Sequence, residues 1–234
     1  MQPILLKAPL LLAGAFGVHI GLTDPNPSVP RTDMQRFGVS DIASQTQKWQ
    51  TLLTRVSCCE ILAILAALQI KGMPDWLAHY LIPRGTVVVD HLHITPIFIT
   101  GILLQVLGAA FRIACYRTLG RHFTYVLSMR EDHKLVTAGP YSIVRHPSYT
   151  ALIMQYIGTL MVHLGEGSWL IEGGILDSVV GRIAMGAWVA DAIALWIMMI
   201  SRTDREDRTL KEKFGAQWVQ WSKQTPYRLV PGIY

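Results

Sequence analysis

Charge is scarce in this chain. Only 16% of its 234 residues are Asp, Glu, Lys or Arg, against about a quarter in soluble globular domains, and the few charges fall in clusters. With 51% hydrophobic residues and a mean hydropathy of +0.32, that scarcity excludes an ordinary soluble domain. Cysteine is scarce too: Cys58, Cys59 and Cys115. Adjacent cysteines rarely pair and no metal-ligand spacing is present, so a disulfide framework and a structural zinc site are both excluded. Free buried thiols are the expectation. His91-Leu92-His93 has no acidic or thiol neighbour in sequence and reads as a pair of interfacial histidines, without a metal. Internal repeats and low-complexity tracts are missing, which leaves one domain over 1–234.

What is present is apolar. Stretches at roughly 4–22, 52–70, 94–117, 147–164 and 180–200 match, or nearly match, the ~20 residues that cross a bilayer. The first is long and has no clear small-residue cleavage site, so it reads as a retained helix and not a signal peptide. The expected fold is all-α and polytopic, with about five transmembrane helices. Five crossings put 23–51, 118–146 and 201–234 on one side. That side carries Arg31, Arg36, Lys48, Arg121, Arg130, Lys134, Arg145 and a basic run from Arg202 to Arg228; the other carries only Lys71 and Arg84. The positive-inside rule then places the C-terminus in the cytoplasm. It also accounts for a pI near 9.2 without any nucleic-acid partner.

Between these stretches, Pro25, Pro27 and Pro30 mark 23–48 as a loop, with 40–50 compatible with a short surface helix. Gly72, Pro74, Pro83 and Gly85 are expected to break any helix in 71–93, and 165–179 reads as a short connection. Glu60 and Asp191 lie inside apolar stretches and call for partners, as a buried pair with an arginine or as polar helix contacts. Gln105 and Gln155 suit hydrogen bonds between helices.

Two polar clusters stand at the expected cytoplasmic edge. The first, His133-Lys-Leu-Val-Thr-Ala-Gly-Pro-Tyr-Ser-Ile-Val-Arg-His-Pro-Ser-Tyr149, crowds cationic and aromatic groups before an apolar segment. Taken alone, Arg145-His146-Pro147 is also how a cytoplasmic helix ordinarily starts. The second runs from Arg202 to Lys223 and is compatible with a helix. Leu210, Phe214, Trp218 and Trp221 recur on one face, as in an amphipathic helix lying on a membrane, while Arg202 and Glu206 occupy another sector. Arg112 sits near the end of the third apolar stretch, where it is either functional or snorkels to the interface.

Together the two clusters resemble the isoprenylcysteine carboxyl methyltransferase family. The likeness rests on His133-x-Leu-Val-Thr-x-Gly139-x-Tyr141-x-x-x-Arg145-His146-Pro147-Ser148-Tyr149 and on Arg202-Thr203, Glu206-Asp207, Leu210 and Phe214-Gly215. Asp207, Trp218 and Trp221 depart from it, standing where the family has Glu, Tyr and Tyr. It extends from about Phe111 to the C-terminus, making 111–234 the catalytic half and 1–110 a set of membrane helices and loops. The resemblance implies S-adenosyl-L-methionine as cofactor, held by His133, Lys134, Leu135, Val136, Tyr141, His146, Pro147, Ser148, Tyr149 and Glu206. It implies Arg112 and Arg202 at the substrate, a prenylated protein C-terminus or prenylcysteine, and residence in the endoplasmic reticulum membrane. A family glutamine upstream would fall near Ser128, but the spacing is two residues shorter here and the contact is not carried over.

The implied chemistry suits these residue types. Methyl transfer to a carboxylate is an in-line displacement by a nucleophile that is already ionised, so no general base is required. The site has to position two partners and partly desolvate them. Arginine grips a carboxylate through two parallel hydrogen bonds, and here it should orient without activating. Three other readings compete. A sterol reductase-like NADPH enzyme is suggested by the ending Pro226-Tyr-Arg-Leu-Val-Pro-Gly-Ile-Tyr234. A phospholipid N-methyltransferase would use the same cofactor on an amine, and a non-catalytic lipid-binding protein would bind no cofactor.

Overall fold

The computed structural model describes residues 3–23, 26, 42–68, 74–120, 123 and 134–234. His133 and Ser128 lie outside the described residues, as does most of the proline-marked loop. Among the described residues the structure is helical, with no strand.

Five long helices contain most of the apolar stretches: α1 (Lys7–Leu22), α2 (Ile42–Ala67), α4 (Pro96–Leu119), α5 (Pro147–Leu164) and α7 (Val179–Phe214). Three described helices are long and apolar enough to cross a membrane: Ile4–Leu22, Pro96–Leu119 and Val179–Phe214. The other two expected spans carry more polarity. α2 includes Lys48, Arg55 and Glu60, and α5 includes Gln155, Thr159 and His163, three side chains buried against other helices. The 40–50 stretch is no separate surface element, since α2 begins at Ile42 and runs on without a break.

The shorter segments correct two expectations. A seven-residue helix, α3 (Asp75–Leu81), forms within 71–93, capped by Pro74 in an extended conformation, and a 3₁₀ turn follows over Thr86–Asp90. Proline and glycine here bracket a helix; they do not prevent one. Similarly, 165–179 holds α6 (Trp169–Glu172), whose Trp169 and Leu170 are buried. The tail run is also two helices instead of one. α7 ends at Gly215, at φ +50, and α8 (Ala216–Gln224) starts afresh. A positive φ is readily adopted by glycine, so Gly215 turns the chain where an unbroken helical face was expected.

Packing runs from α2 to α1 to α4 to α5 to α7. α1 and α4 run parallel, with Gly14 by Gln105 and Gly21 by Arg112, and the other neighbouring pairs run antiparallel. α4 and α5 form the closest pair. A Cβ on Gly101 would lie 2.7 Å from the Gly158 carbonyl oxygen, and one on Gly108 would lie 2.8 Å from that of Ala151. The two contacts sit seven residues apart on each helix, so small residues let the backbones approach along two turns. Gln105 donates to Thr159 Oγ1 at 3.0 Å and Gln155 donates to the Gly17 carbonyl at 3.1 Å, tying α4, α5 and α1 as expected.

The ends of this bundle are chemically distinct. At one end Lys7 and Glu60 form a fully buried ion pair at 2.9 Å. Lys7 also donates to the Gly167 carbonyl at 2.6 Å, and Glu60 meets His163 Nδ1 at 2.9 Å. Glu60 therefore has the buried partner it required, a lysine where an arginine was anticipated. Asp191 does not: it is exposed on the outer face of α7. Of the cysteines only Cys115 is buried, whereas Cys58 is exposed. The opposite end gathers the C-terminal ends of α1, α4 and α7 with the start of α5, and holds both polar clusters.

Candidate functional site

α7 supplies one wall. Its 36 residues extend about 54 Å at 1.5 Å per residue, well beyond a ~30 Å hydrocarbon layer, so one rigid rod carries the apolar segment and, past it, Arg202, Glu206 and Asp207. These three lie on a buried or half-buried side, with Arg202 and Asp207 each 5% exposed. Spacing of four brings Arg202 Nε to Glu206 Oε1 at 2.9 Å.

The start of α5 supplies the facing wall. Pro147 occupies the first helical position, where its missing N–H is no loss, and His146 precedes it in a non-helical conformation. His146 is buried, with Nδ1 3.2 Å from Glu206 Oε2 and Nε2 3.0 Å from Asp207 Oδ1. Carboxylate oxygens only accept, so two carboxylates facing the two ring nitrogens favour the doubly protonated imidazolium. Burial alone would lower its pKa, but hydrogen bonds and charge from Asp207 and Glu206 outweigh burial and raise it above the ordinary histidine value. One turn on, the Tyr149 hydroxyl donates to Glu206 Oε1 at 2.5 Å, and its ring stacks on His146 at 5.8 Å between centroids. Glu206 thus receives three side chains: Tyr149, Arg202 and His146.

Arg112 does not snorkel. It is 1% exposed, with Nε donating to the Gly21 carbonyl and Nη1 to the Ser148 carbonyl at 3.1 Å and hydroxyl at 2.6 Å. Its guanidinium lies over the Tyr116 and Phe123 rings, and the Tyr116 hydroxyl shares the Gly21 carbonyl at 2.6 Å. Arg112 therefore joins the end of α1 to the start of α5, next to the Tyr149–Glu206 contact.

The remaining expected residues form a third side. Leu135 and Val136 pack with Leu210 and Trp218 around buried Tyr141, Cys115 and Trp221, while Lys134 is exposed. Trp221 Nε1 donates to the Tyr141 carbonyl at 3.1 Å. The Leu210, Trp218 and Trp221 surface therefore docks on protein; Phe214, grouped with them by spacing, is not part of that cluster. Gly139, at φ +59, turns the chain into the 3₁₀ segment that carries Tyr141.

Sequence reasoning missed the residues that lock these walls together. Arg145 binds Asp207 Oδ2 at 3.2 Å and donates to the carbonyls of Thr225 and Pro226 at 3.0 and 2.7 Å. Arg228 Nε reaches the same Asp207 oxygen at 3.2 Å. Backbone bonds from Arg145 N–H to Tyr227 and from His146 N–H to Arg228, at 2.9 and 2.8 Å, bind the tail alongside. The available signal was Asp207 itself, a second acid beside Glu206. Among the described residues no group of His, Cys, Asp and Glu is placed to hold a metal ion.

Comparison with known proteins bears on part of this site. The model of the isoprenylcysteine carboxyl methyltransferase family matches residues 101–172. Protein-S-isoprenylcysteine O-methyltransferase B of Arabidopsis thaliana is 31% identical over 128 residues, covering 54% of this chain and 55% of that protein. The Homo sapiens protein-S-isoprenylcysteine O-methyltransferase is 29% identical over 135 residues, 57% of this chain and 41% of its own length. The Dictyostelium discoideum one is 26% identical over 170 residues, 72% and 60% respectively. The chain thus spans roughly half the length of these curated relatives. No solved structure matches. The match to the isoprenylcysteine carboxyl methyltransferase family is carried by residues 101–172, from α4 through the Arg145–Tyr149 wall, and the Arg202–Lys223 cluster lies outside that range.

Proposed function

We propose that this chain is a membrane-embedded enzyme that methylates the C-terminal carboxylate of a prenylated cysteine, using S-adenosyl-L-methionine. One observation carries the reading. The first cluster, with the donor residues His146 and Tyr149, and the second, with the donor residue Glu206 and the acceptor residue Arg202, lie 57 and 61 residues apart in their key pairs, yet meet directly through Tyr149–Glu206 and His146–Asp207. Relatives named for methylating isoprenylcysteine support the substrate class.

The residues suit the proposed donor. Glu206 Oε2 meets His146 and the side chain is 19% exposed, so this oxygen retains capacity to accept a further hydrogen bond. Leu135, Val136 and Tyr141 offer an apolar and aromatic wall, and Gly139 presents backbone without a side chain. When bound, S-adenosylmethionine supplies an electrophilic methyl group. The chain's own work is positional. Arg202 and Arg112 orient the acceptor carboxylate, which is ionised without help at neutral pH. Buried Tyr141, Trp221 and His146 keep bulk water from the reacting end and raise the value of each charge there. His133 and Lys134 complete the donor side in this reading. The prenyl chain enters from the bilayer between helices, with five spans, a cytoplasmic C-terminus and residence in the endoplasmic reticulum.

The purified full chain, incubated with methyl-labelled S-adenosylmethionine, should transfer base-labile label to farnesylcysteine. It should leave its methyl ester and an ethanolamine lipid unlabelled. Label on the amine, or an activity that requires NADPH, would replace this reading with one of its competitors.

A further inference from the structure

We propose that Asp207 is the positioning residue of this site, holding His146 by one ring nitrogen so that the other fixes Glu206. The inference rests on the methyl-transfer reading, in which Glu206 faces the donor. Asp207 and Glu206 are consecutive on α7, and their side chains leave the helix about 100° apart. They can grip a common partner only if it offers donors on two edges. An imidazolium does so: Nε2 meets Asp207 at 3.0 Å and Nδ1 meets Glu206 at 3.2 Å. The ring is clamped between two carboxylates and against Tyr149, and it passes the constraint on to Glu206.

Three cations converge on Asp207: His146 on Oδ1, and Arg145 and Arg228 on Oδ2, each arginine at 3.2 Å. They come from the start of α5 and from the tail, so Asp207 also fixes where the 225–228 strap crosses the site. Around His146 stand Glu206 and Asp207, with Arg202 behind Glu206, all on α7. Arg145 and Tyr149 come from its own segment and Arg228 from the tail. Replacing Asp207 by a neutral amide would leave three cations beside one another and withdraw one of the two carboxylates that keep the ring charged.

The distinguishing consequence lies in pH dependence. Without the opposing charge of Asp207, the His146 ring gives up its proton more readily. The Glu206–His146 contact is then lost at lower pH. In calorimetric titrations of S-adenosylmethionine into the full chain in detergent, Asp207→Asn should move the alkaline limb of the affinity profile down by about one pH unit or more. Between the old limb and the new one, binding weakens roughly tenfold, the factor that accompanies one pH unit in a proton-linked equilibrium. Asp207→Glu should return the limb toward its original position, as a purely volumetric role would not. A variant profile superimposable on the wild type overturns the assignment. If the Asn variant does not fold, ¹⁵N-histidine NMR of the wild type, with His146→Gln to assign the resonance, decides it. Both ring nitrogens should stay protonated above the pH at which an ordinary histidine gives up its proton, and a ring that titrates at or below the ordinary histidine value overturns the proposal. Wild-type protein that binds no S-adenosylmethionine overturns the methyl-transfer reading instead, and the NMR titration still decides the role of Asp207.

Discussion

Replacing Glu60 with glutamine should destabilise the bundle more than any single change at its surface. The carboxylate is fully buried and serves three groups: Lys7 Nζ at 2.9 Å, His163 Nδ1 at 2.9 Å and the Trp169 backbone N–H at 3.4 Å. Removing its charge leaves the Lys7 ammonium, also fully buried, with the Gly167 carbonyl as a neutral oxygen in place of an anion. Breaking one side of a buried ion pair costs about 3–5 kcal/mol. At roughly 2–4 °C per kcal/mol for a chain of this size, melting should fall by about 6–20 °C in detergent. The compensated variant tests the cause. Lys7→Met combined with Glu60→Leu removes both charges and should recover much of that loss, because replacing a buried pair by apolar groups is often neutral. Melting of the wild type, Lys7→Met, Glu60→Leu and the double variant gives the coupling energy directly. Single variants within a degree of the wild type, or a double variant no better than their sum, would refute the ionic account of this end of the bundle.

Three further outcomes follow from the geometry. Gly158→Val should destabilise by at least the ~1–3 kcal/mol typical of overpacking, read as a lower melting temperature. Its Cβ would lie 2.5 Å from the Gly101 carbonyl oxygen, and backbone cannot swing aside. The raised His146 pKa makes stability pH-dependent. Because the folded value exceeds the unfolded value of about 6.5, this contribution is complete below about pH 6.5 and is lost as pH rises through the folded pKa. A His146→Gln chain should lose that alkaline decline, and an unchanged melting-versus-pH curve would contradict it. Finally, Arg202→Ala should raise the KM for the carboxylate substrate or lower kcat, and also weaken donor binding, since Arg202 Nε holds Glu206. An effect confined wholly to the acceptor would show the pair to be uncoupled.

The apolar elements were legible because hydropathy is a summed property: all five long stretches lie in helices, three at nearly their expected bounds, while the second starts ten residues early at Ile42 and the last runs on to Phe214. Helix α3 was not, since Gly72, Pro74, Pro83 and Gly85 look like uniform breakers while only their positions relative to Asp75–Leu81 decide whether they interrupt or cap. Gly215 misled for the opposite reason. One glycine in a helix-compatible run reads as a tolerated weakness, yet it separates α7 from α8 and turns Trp218 and Trp221 inward. In the site, His146, Tyr149, Arg202 and Glu206 could be singled out in advance because the resemblance to the methyltransferase family falls on them. Which acid meets which cation could not, since Arg145, Asp207 and Arg228 are joined across 62 and 21 positions by tertiary folding alone. Arg112 shows the same boundary: its place near a helix end was plain, but its hold on Gly21 and Ser148 depends on α1 and α5 arriving there.

The central claim is most directly tested by where the label goes. With methyl-labelled S-adenosylmethionine and the purified full chain, farnesylcysteine bearing a free carboxylate should acquire base-labile label, and Glu206→Ala should abolish it. No label on the free acid, or equal labelling of the acid and its methyl ester, would contradict the account.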